Sequence, residues 1–334
     1  MIHQYKNNGY NIVLDVNSGS VHVVDDACYD VISLYEDNSK DEIMNKLKDN
    51  YSEDVISEAY DEVKELADSE LLFTEDVYKQ YITDFKKRKT VVKALCLHIA
   101  HDCNLACKYC FAEEGEYHGR RALMSIEVGK KAIDFLIANS GNRRNLEVDF
   151  FGGEPLMNWE VVKEIVRYGR SKEEEYNKNF RFTLTTNGVL LNDEVMEFVN
   201  KEMSNVVLSL DGRKEVNDEM RPFRNGKGSY DLIVPKFQKL ADSRNQTNYY
   251  VRGTFTHHNL DFSKDVLHLA DLGFKQISVE PVVAADTEEY AIREEDIPQI
   301  MEEYDTLAKE MIKREKEGKG FNFFHFMIDL TGGP

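Results

Sequence analysis

The sequence has 334 residues, a net charge of −19, 42% hydrophobic residues and 31% charged residues. This composition is typical of a globular protein rather than a disordered chain, and the negative charge disfavours nucleic acid as a partner. The sequence contains no apolar run long enough to cross a membrane and begins with no signal peptide, so we expect a cytoplasmic protein with reduced cysteines.

The first 76 residues predict a small α+β domain. Three short strands are separated by Asn-Gly and Ser-Gly turns, at residues 2–6, 10–16 and 20–24. Three amphipathic segments follow, each preceded by a residue suited to cap a helix: Asp25 or Asp26, Ser39, and Ser52. Three strands followed by three helices are typical of a winged-helix-like unit. Residues 1–88 hold 9 Lys or Arg and 20 Asp or Glu, a net charge of −11.

A second domain is predicted at residues 91–317, after a linker at 77–90 that contains the basic run 86–89. Six apolar, strand-like runs occur in it: residues 91–100, 146–151, 181–186, 206–210, 249–256 and 276–283. Amphipathic segments of helix length separate these runs. Six successive β/α units predict an α/β fold with a parallel sheet, curled into a partial (β/α)6 barrel. Residues 318–334 are interpreted as the start of a bridge to a further domain.

Polar motifs follow four successive strands, at the point where each strand ends. They are CNLACKYC at 103–110, GGEP at 152–155, TTNG at 185–188 and SLDG at 209–212. In parallel β/α folds the carboxyl ends of the strands meet at one rim, where the chemistry lies. Each motif alone is consistent with an ordinary turn, but all four together predict one functional site.

Cys103, Cys107 and Cys110 have the spacing C-x3-C-x2-C. A structural zinc ion needs four protein ligands, and His101 or His118 could supply the fourth. Alternatively, the three cysteines hold three irons of a [4Fe–4S] cluster and leave the fourth iron open to another ligand. The zinc interpretation leaves the other three strand-end motifs unexplained.

This spacing, with Tyr109 ahead of the last cysteine, resembles the signature of radical S-adenosylmethionine (SAM) enzymes, and the resemblance extends over residues 91–310. It implies one [4Fe–4S] cluster held by the three cysteines, with SAM bound to the open iron. It also implies that one electron cleaves SAM to methionine and a 5′-deoxyadenosyl radical, which abstracts a substrate hydrogen. A donor such as flavodoxin or ferredoxin would supply that electron.

The resemblance also implies which residues contact the amino-acid part of SAM. Gly152, Gly153 and Glu154 correspond to the family segment that receives the SAM ammonium group, and glycine permits the close approach of backbone to ligand. Ser209 and Arg221 correspond to the pair that holds the methionyl carboxylate. Arginine suits this charge-assisted contact.

Three other residues are expected near the nucleoside part of SAM. Asn187 corresponds to the family position near the ribose, and Tyr109 is expected to contact adenine through its backbone. Glu280 is a further candidate for contact with the nucleoside. We expect Asp211 to form a turn or helix cap, and no catalytic residue that acts on the substrate is identified.

The two remaining cysteines, Cys28 and Cys96, lie in a predicted helix and a predicted apolar strand. Small thiols in such segments are usually core residues. We therefore expect both to be buried and to hold no metal.

The opening sequence IHQYKNNGYNIVLDVNSGSVHVVDD resembles the start of SCIFF maturases, and the domain at 1–76 resembles PqqD-like peptide-recognition elements. Such elements bind the leader of a ribosomally made precursor as an added strand, which the resemblance places along residues 20–24. The implied function is modification of a Cys-rich precursor peptide by thioether cross-links from cysteine sulfur to carbon, as in sactipeptides.

Two other interpretations remain open from the sequence. Within the same family, the reaction could be formylglycine formation or epimerisation of a peptide residue. From another class, the chain could be a non-catalytic, zinc-stabilised peptide-binding protein. SCIFF maturases also carry a C-terminal SPASM or related extension with auxiliary [4Fe–4S] clusters, whereas no cysteine follows Cys110. We therefore expect a chain that ends before that extension, and auxiliary clusters only in the missing part.

Overall fold

The computed structural model describes residues 1–81 and 90–327. They form two compact units, one within residues 1–81 and the other over residues 90–326. The basic run 86–89 of the predicted linker and residues 328–334 of the predicted bridge lie outside the described residues. Within the described part of the chain, no helix is both long and apolar enough to cross a membrane.

The first unit packs a three-stranded antiparallel sheet with three helices. Its strands, in sheet order, are β1 (Ile2–Asn7), β2 (Tyr10–Asp15) and β3 (Val21–Val24). Its helices are α1 (Asp26–Leu34), α2 (Lys40–Leu47) and α3 (Glu53–Asp68). Ser39 forms a capping box with Glu42 as its sequence position predicts, whereas Ser52 makes no side-chain cap bond. Cys28 is buried in α1, as expected.

The second unit is a β/α fold around an eight-stranded sheet. Its strands are β4 (Ala94–His101), β5 (Ala122–Leu123), β6 (Asn145–Gly152), β7 (Asn179–Thr186), β8 (Met203–Ser209), β9 (Tyr249–Phe255), β10 (Gln276–Pro281) and β11 (Asn322–Phe323). Its helices are α4 (Ile126–Asn139), α5 (Trp159–Tyr176), α6 (Asp193–Glu202), α7 (Lys214–Met220), α8 (Tyr230–Ser243), α9 (Phe262–Asp271) and α10 (Ile297–Lys316). The strand order is β11-β10-β9-β8-β7-β6-β4-β5.

The six long strands, β4 and β6 to β10, pair in parallel and alternate with helices. This confirms the predicted α/β class with a partial barrel. The structure adds two edge strands of two residues each, β5 antiparallel to β4 and β11 parallel to β10. Strands of two residues carry no periodic pattern, so the sequence did not reveal them. The residues of β11 lie in the segment predicted as a bridge and add a strand to this sheet.

One face of the sheet packs against helices through alternate residues of each strand. Phe150, Phe182 and Leu208 are fully buried on this face. In β4, Leu97 and Ile99 are buried, whereas Cys96, the residue before Leu97, is exposed. The prediction that Cys96 is a core residue was therefore wrong, because an apolar strand can still present alternate side chains to the other face of the sheet.

Asp15 is a buried carboxylate that ties β2 to the chain after α3. Its Oδ2 accepts hydrogen bonds from the N–H and hydroxyl of Thr74, both at 2.9 Å, and its Oδ1 accepts the N–H of Asn17 at 2.9 Å. Burial alone would raise the pKa of Asp15, but these hydrogen bonds outweigh burial and the pKa lies below its ordinary value.

We predict that Asp15→Asn lowers the free energy of unfolding of the first unit by about 1–3 kcal/mol, because the new amide turns N–H groups toward other donors. Asp61→Asn is the matched control, since it removes only an exposed pair with Lys40 and should cost about 1 kcal/mol or less. Hydrogen exchange of residues 1–81 in the full chain measures both. Equal loss of protection in the two variants would contradict the assignment.

The same contact predicts a pH dependence. The pKa of Asp15 is lower in the folded state than in the unfolded state, where it is about 4. Its carboxylate therefore stabilises the fold fully at a pH above the unfolded-state pKa. This contribution is lost as the pH falls through the folded-state pKa. The difference in stability between wild type and Asp15→Asn should therefore shrink in acid. A difference that grows below pH ~4 would have the wrong sign.

Candidate functional site

One cavity of about 430 Å³ lies at the carboxyl ends of the strands in the second unit. Nine of the ten predicted site residues line it: Cys103, Cys107, Tyr109, Cys110, Gly152, Gly153, Asn187, Ser209 and Arg221. Glu154, the tenth, is fully buried and is not among the lining residues. The four strand-end motifs therefore contribute to one site, as their positions predict.

The loop that carries the three cysteines (residues 103–110, the cysteine loop) is fixed by the end of α7 and the segment after it. Its backbone donates from Ala106 N–H to the Pro222 carbonyl and from Lys108 N–H to the Met220 carbonyl, both at 2.9 Å. Arg224 adds a clamp that sequence reasoning missed: its Nε and Nη2 donate to the Cys103 carbonyl at 3.1 and 2.6 Å. No motif in the sequence marks Arg224, because its partner is a backbone carbonyl.

Burial shapes the chemistry of the thiols. It raises the pKa of Cys103 to about 12 and that of Cys107 to about 11. A bound cation would reverse this effect, since metals favour deprotonated thiols. Within residues 1–81 and 90–327, no three His, Cys, Asp or Glu side chains are grouped so as to hold a single metal ion. The three loop thiols thus line one cavity without forming a closed site for one ion.

Gly152 and Gly153 allow the end of β6 to touch the cysteine loop. The N–H of Gly153 donates to the Ala100 carbonyl at 2.7 Å, and that of Glu154 donates to the Asp102 carbonyl at 2.9 Å. A Cβ on Gly153 would lie 2.0 Å from the Asp102 carbonyl oxygen, and Gly152 has φ +122°. Both positions therefore require glycine for a close approach of two backbones.

Glu154 joins the ends of β6 and β7. Its Oε1 accepts from the Leu156 N–H at 3.0 Å and the Thr186 hydroxyl at 2.8 Å, and its Oε2 accepts the Asn187 N–H at 2.8 Å. Burial raises its pKa, although these hydrogen bonds oppose the shift. The structure thus gives Glu154 a structural contact, and its predicted role in holding the SAM ammonium group stays a prediction.

Asn187 faces the cysteine loop. Its Nδ2 donates to Asn104 Oδ1 at 2.7 Å and lies 3.5 Å from the Cys103 sulfur. Asn187 also lines the cavity, so its predicted position near a ribose stays a prediction.

Tyr109 connects the cysteine loop to two buried charges. Its hydroxyl donates to Asp211, with oxygens at 2.7 and 2.8 Å, and accepts from Arg221 Nη1 at 2.8 Å. Burial raises the pKa of Asp211 to about 6. The expectation that Asp211 forms a turn or helix cap was wrong: its carboxylate accepts from the Tyr109 hydroxyl and from the Thr254 N–H at 3.1 Å.

Arg221 has spare hydrogen-bonding capacity inside the site. Its Nε is buried and has no hydrogen-bond partner among the described residues. A buried guanidinium N–H without a partner is costly, and a carboxylate is the group that an arginine edge binds best. The residues present therefore fit the carboxylate of a bound amino acid, with Ser209 on the same cavity wall.

The wall formed by β9 and β10 carries two opposite charges. Arg252 Nη2 and Glu280 Oε2 are 2.6 Å apart, and both side chains line the cavity while remaining partly exposed. Glu280 thus reaches the site, as the sequence suggested, but is paired with Arg252. Sequence reasoning missed Arg252, although its inward register on β9 is the signal that could have indicated it.

The model of the Radical SAM superfamily matches residues 97–270 of the chain. This span is more than half of the chain and includes all four strand-end motifs and Arg221. The chain therefore belongs to the radical SAM superfamily. Membership implies a [4Fe–4S] cluster and SAM as cofactors.

Similarity to individual proteins covers parts of the chain. It is 26% identical to the radical SAM cyclopropyl synthase TigE of Paramaledivibacter caminithermalis, over 51% of this chain and 38% of TigE. The chain spans less than two thirds of the length of the curated relatives that it matches first.

Two solved structures share the fold. anSMEcpe, with bound AdoMet and the Kp18Cys peptide, has a TM-score of 0.61 at 18% identity, covering 71% of this chain and 64% of that one. Streptococcus suis SuiB, bound to the precursor peptide SuiA, has a TM-score of 0.52 at 14% identity, covering 96% and 70%.

We predict that Gly153→Ala destabilises the second unit by about 3 kcal/mol, because its Cβ would overlap backbone atoms that cannot move aside. The variant should retain less than half of the iron that wild type retains after anaerobic reconstitution. Gly119→Ala is the control, since its Cβ would meet its nearest neighbour at 3.3 Å. Iron retention equal in both variants would show that the close approach does not matter.

Proposed function

We propose that Cys103, Cys107 and Cys110 hold one [4Fe–4S] cluster, and that SAM binds beside it in the cavity at the strand ends. When bound, this pair supplies a 5′-deoxyadenosyl radical after one-electron cleavage of SAM. Flavodoxin or ferredoxin is the class of donor proposed for the electron. The chain's own residues bind and orient SAM: Ser209 and Arg221 its carboxylate, Gly152, Gly153 and Glu154 its ammonium group, and Asn187 and Tyr109 its nucleoside.

The unpaired Nε of Arg221 is the observation that carries this proposal. It lies in the wall that also holds the three cysteines, and a carboxylate would satisfy it. Zinc in the cysteine loop would leave this buried donor without a partner.

Cysteine variants test the cluster directly. We predict that reconstituted wild type binds about four irons per chain and releases 5′-deoxyadenosine from SAM with dithionite, and that Cys107→Ala loses both. Cys96→Ala is the matched control. This cysteine is exposed, lies on β4, the strand that leads into the cysteine loop, and holds no iron in the proposal. Stoichiometric zinc without SAM cleavage would instead support the zinc-stabilised peptide-binding protein.

We further propose that the substrate is a ribosomally made, Cys-rich precursor peptide whose leader adds to β3. The hairpin geometry supports this. In the β2–β3 hairpin, the Asp15 N–H donates to the Ser20 carbonyl and the Gly19 N–H donates to the Asp15 carbonyl. From this point along the two antiparallel strands, residue pairs that are hydrogen-bonded to each other alternate with pairs that are not. The alternation turns the N–H and C=O groups of Val21 and Val23 away from β2. Within the described residues, no further strand pairs with β3.

The side chains of this edge also suit an added strand. Val23 is 65% exposed and Val21 is 38% exposed, an uncommon arrangement for a strand edge, which proteins usually protect. The net charge of −11 over residues 1–88 favours a basic leader. SuiB, which was solved with a precursor peptide, matches this chain over its first unit as well, which supports a PqqD-like role.

The proposed product is a thioether between a cysteine sulfur and a carbon of another residue, as in the SCIFF maturases. Mass spectrometry separates it from the rival reactions of this family. A thioether removes one pair of hydrogen atoms and blocks the cysteine against alkylation. Formylglycine formation from cysteine removes the sulfur, and from serine it removes one pair of hydrogen atoms but leaves the cysteines open to alkylation. Epimerisation leaves the mass unchanged. Auxiliary [4Fe–4S] clusters, proposed for a C-terminal SPASM part, are required for the thioether reaction in this scheme.

One proline substitution at each edge of the three-stranded sheet tests the leader site. The probes are fluorescein-labelled synthetic leaders from short Cys-rich reading frames of the same genome. We predict that Val23→Pro weakens binding of the best leader roughly 10-fold, because it removes an outward N–H and one strand-pairing bond. Lys6→Pro, on the opposite edge of the sheet, is the control and should change the affinity little. Equal effects at both edges, or no leader that binds wild type, would refute the site.

A further inference from the structure

Five residues, two of which line the cavity, form a closed ring of hydrogen bonds, which we name the Arg221 ring: Tyr109, Asp211, Asn217, Arg221 and Ser229. On one side, Arg221 Nη1 donates to the Tyr109 hydroxyl, which donates to Asp211. On the other side, the Ser229 hydroxyl donates to the Arg221 carbonyl at 2.7 Å and accepts from Asn217 Nδ2 at 3.1 Å. The Asp211 N–H, 3.4 Å from Asn217 Oδ1, closes the ring.

The ring holds Arg221 at both its backbone and its side chain. Asn217 and Ser229 bind the backbone, since the Arg221 N–H also donates to the Asn217 carbonyl at 2.7 Å. Among the residues that the structure describes, Tyr109 alone hydrogen-bonds the side chain, through Nη1. Asp211, Asn217 and Ser229 are fully buried, so each bond lies in a medium where polar contacts are strong and unpaired groups costly.

Within this ring, Tyr109 is the one member that belongs to the cysteine loop. Its hydroxyl has one proton, which goes to Asp211, and its oxygen accepts from Arg221. The phenol is therefore the link between the loop that carries the thiols and the arginine whose Nε has no partner. Without the phenol oxygen, nothing in the ring fixes the rotation of the guanidinium group.

We propose that Tyr109 and Asp211 are positioning residues that hold the Arg221 side chain for the carboxylate of SAM, so that SAM affinity depends on the Tyr109 hydroxyl. This inference rests on the proposed SAM site and adds to it a role for a side chain that was expected to act through its backbone alone. Pre-organised donors bind a ligand more tightly because they lose less freedom on binding.

The test compares binding of two probes to the full, anaerobically reconstituted chain by equilibrium dialysis. SAM has the carboxylate, whereas 5′-methylthioadenosine has only the nucleoside part. We expect Tyr109→Phe to weaken SAM binding roughly 10-fold, because this is the effect of losing one hydrogen bond to a charged group. Binding of 5′-methylthioadenosine should stay unchanged. Tyr249→Phe is the matched control, because it removes a buried hydroxyl that accepts the Lys275 N–H away from the cavity.

The possible results separate the two levels of the proposal. Wild-type affinity for SAM in Tyr109→Phe, or an equal loss for both probes, would overturn the positioning role while leaving the SAM site intact. Wild type that binds neither probe would overturn the SAM site and the inference with it. If Tyr109→Phe fails to retain iron, Asp211→Asn decides, since it lies outside the cysteine loop and should still weaken SAM binding selectively.

Discussion

The site depends on one close contact, in which the end of β6 lies against the cysteine loop with no side chain between the two backbones. Gly152 and Gly153 make this contact possible, and the hydrogen bonds to the Ala100 and Asp102 carbonyls fix it. Because β4 and β6 are parallel neighbours, their carboxyl ends already lie at one rim. The contact then brings the three thiols into the cavity wall beside the motifs that follow β7 and β8.

Around this contact, the structure places polar groups whose contacts span several strands. Glu154 joins β6 to β7, Arg224 clamps the Cys103 carbonyl, and the Arg221 ring joins the loop to the segments after β8. Glu154 and most of the ring are buried, and buried polar groups give rigidity only when they have hydrogen-bond partners. The Nε of Arg221 is the exception, because it has no hydrogen-bond partner among the described residues. A bound carboxylate would supply that partner.

The sequence predicted the six long strands, the helices between them and the four motifs at their ends, because hydrophobic periodicity and strand-end position are local signals. Of the ten residues that it named for the site, nine line one cavity, and their roles there stay predictions. It failed where the answer depends on distant partners. Cys96 looks like a core residue because its strand is apolar, yet its face of the sheet is exposed. Asp211 looks like a turn residue, yet its partner is Tyr109, 102 positions away.

The central claim is that SAM binds directly beside a cluster held by the three cysteines. Electron paramagnetic resonance of the reduced, reconstituted chain, recorded with and without SAM, tests it most directly. The account predicts a [4Fe–4S] signal in wild type that changes when SAM is added, because SAM occupies the open iron. A cluster signal that is identical with and without SAM would contradict it, as would the absence of any cluster signal.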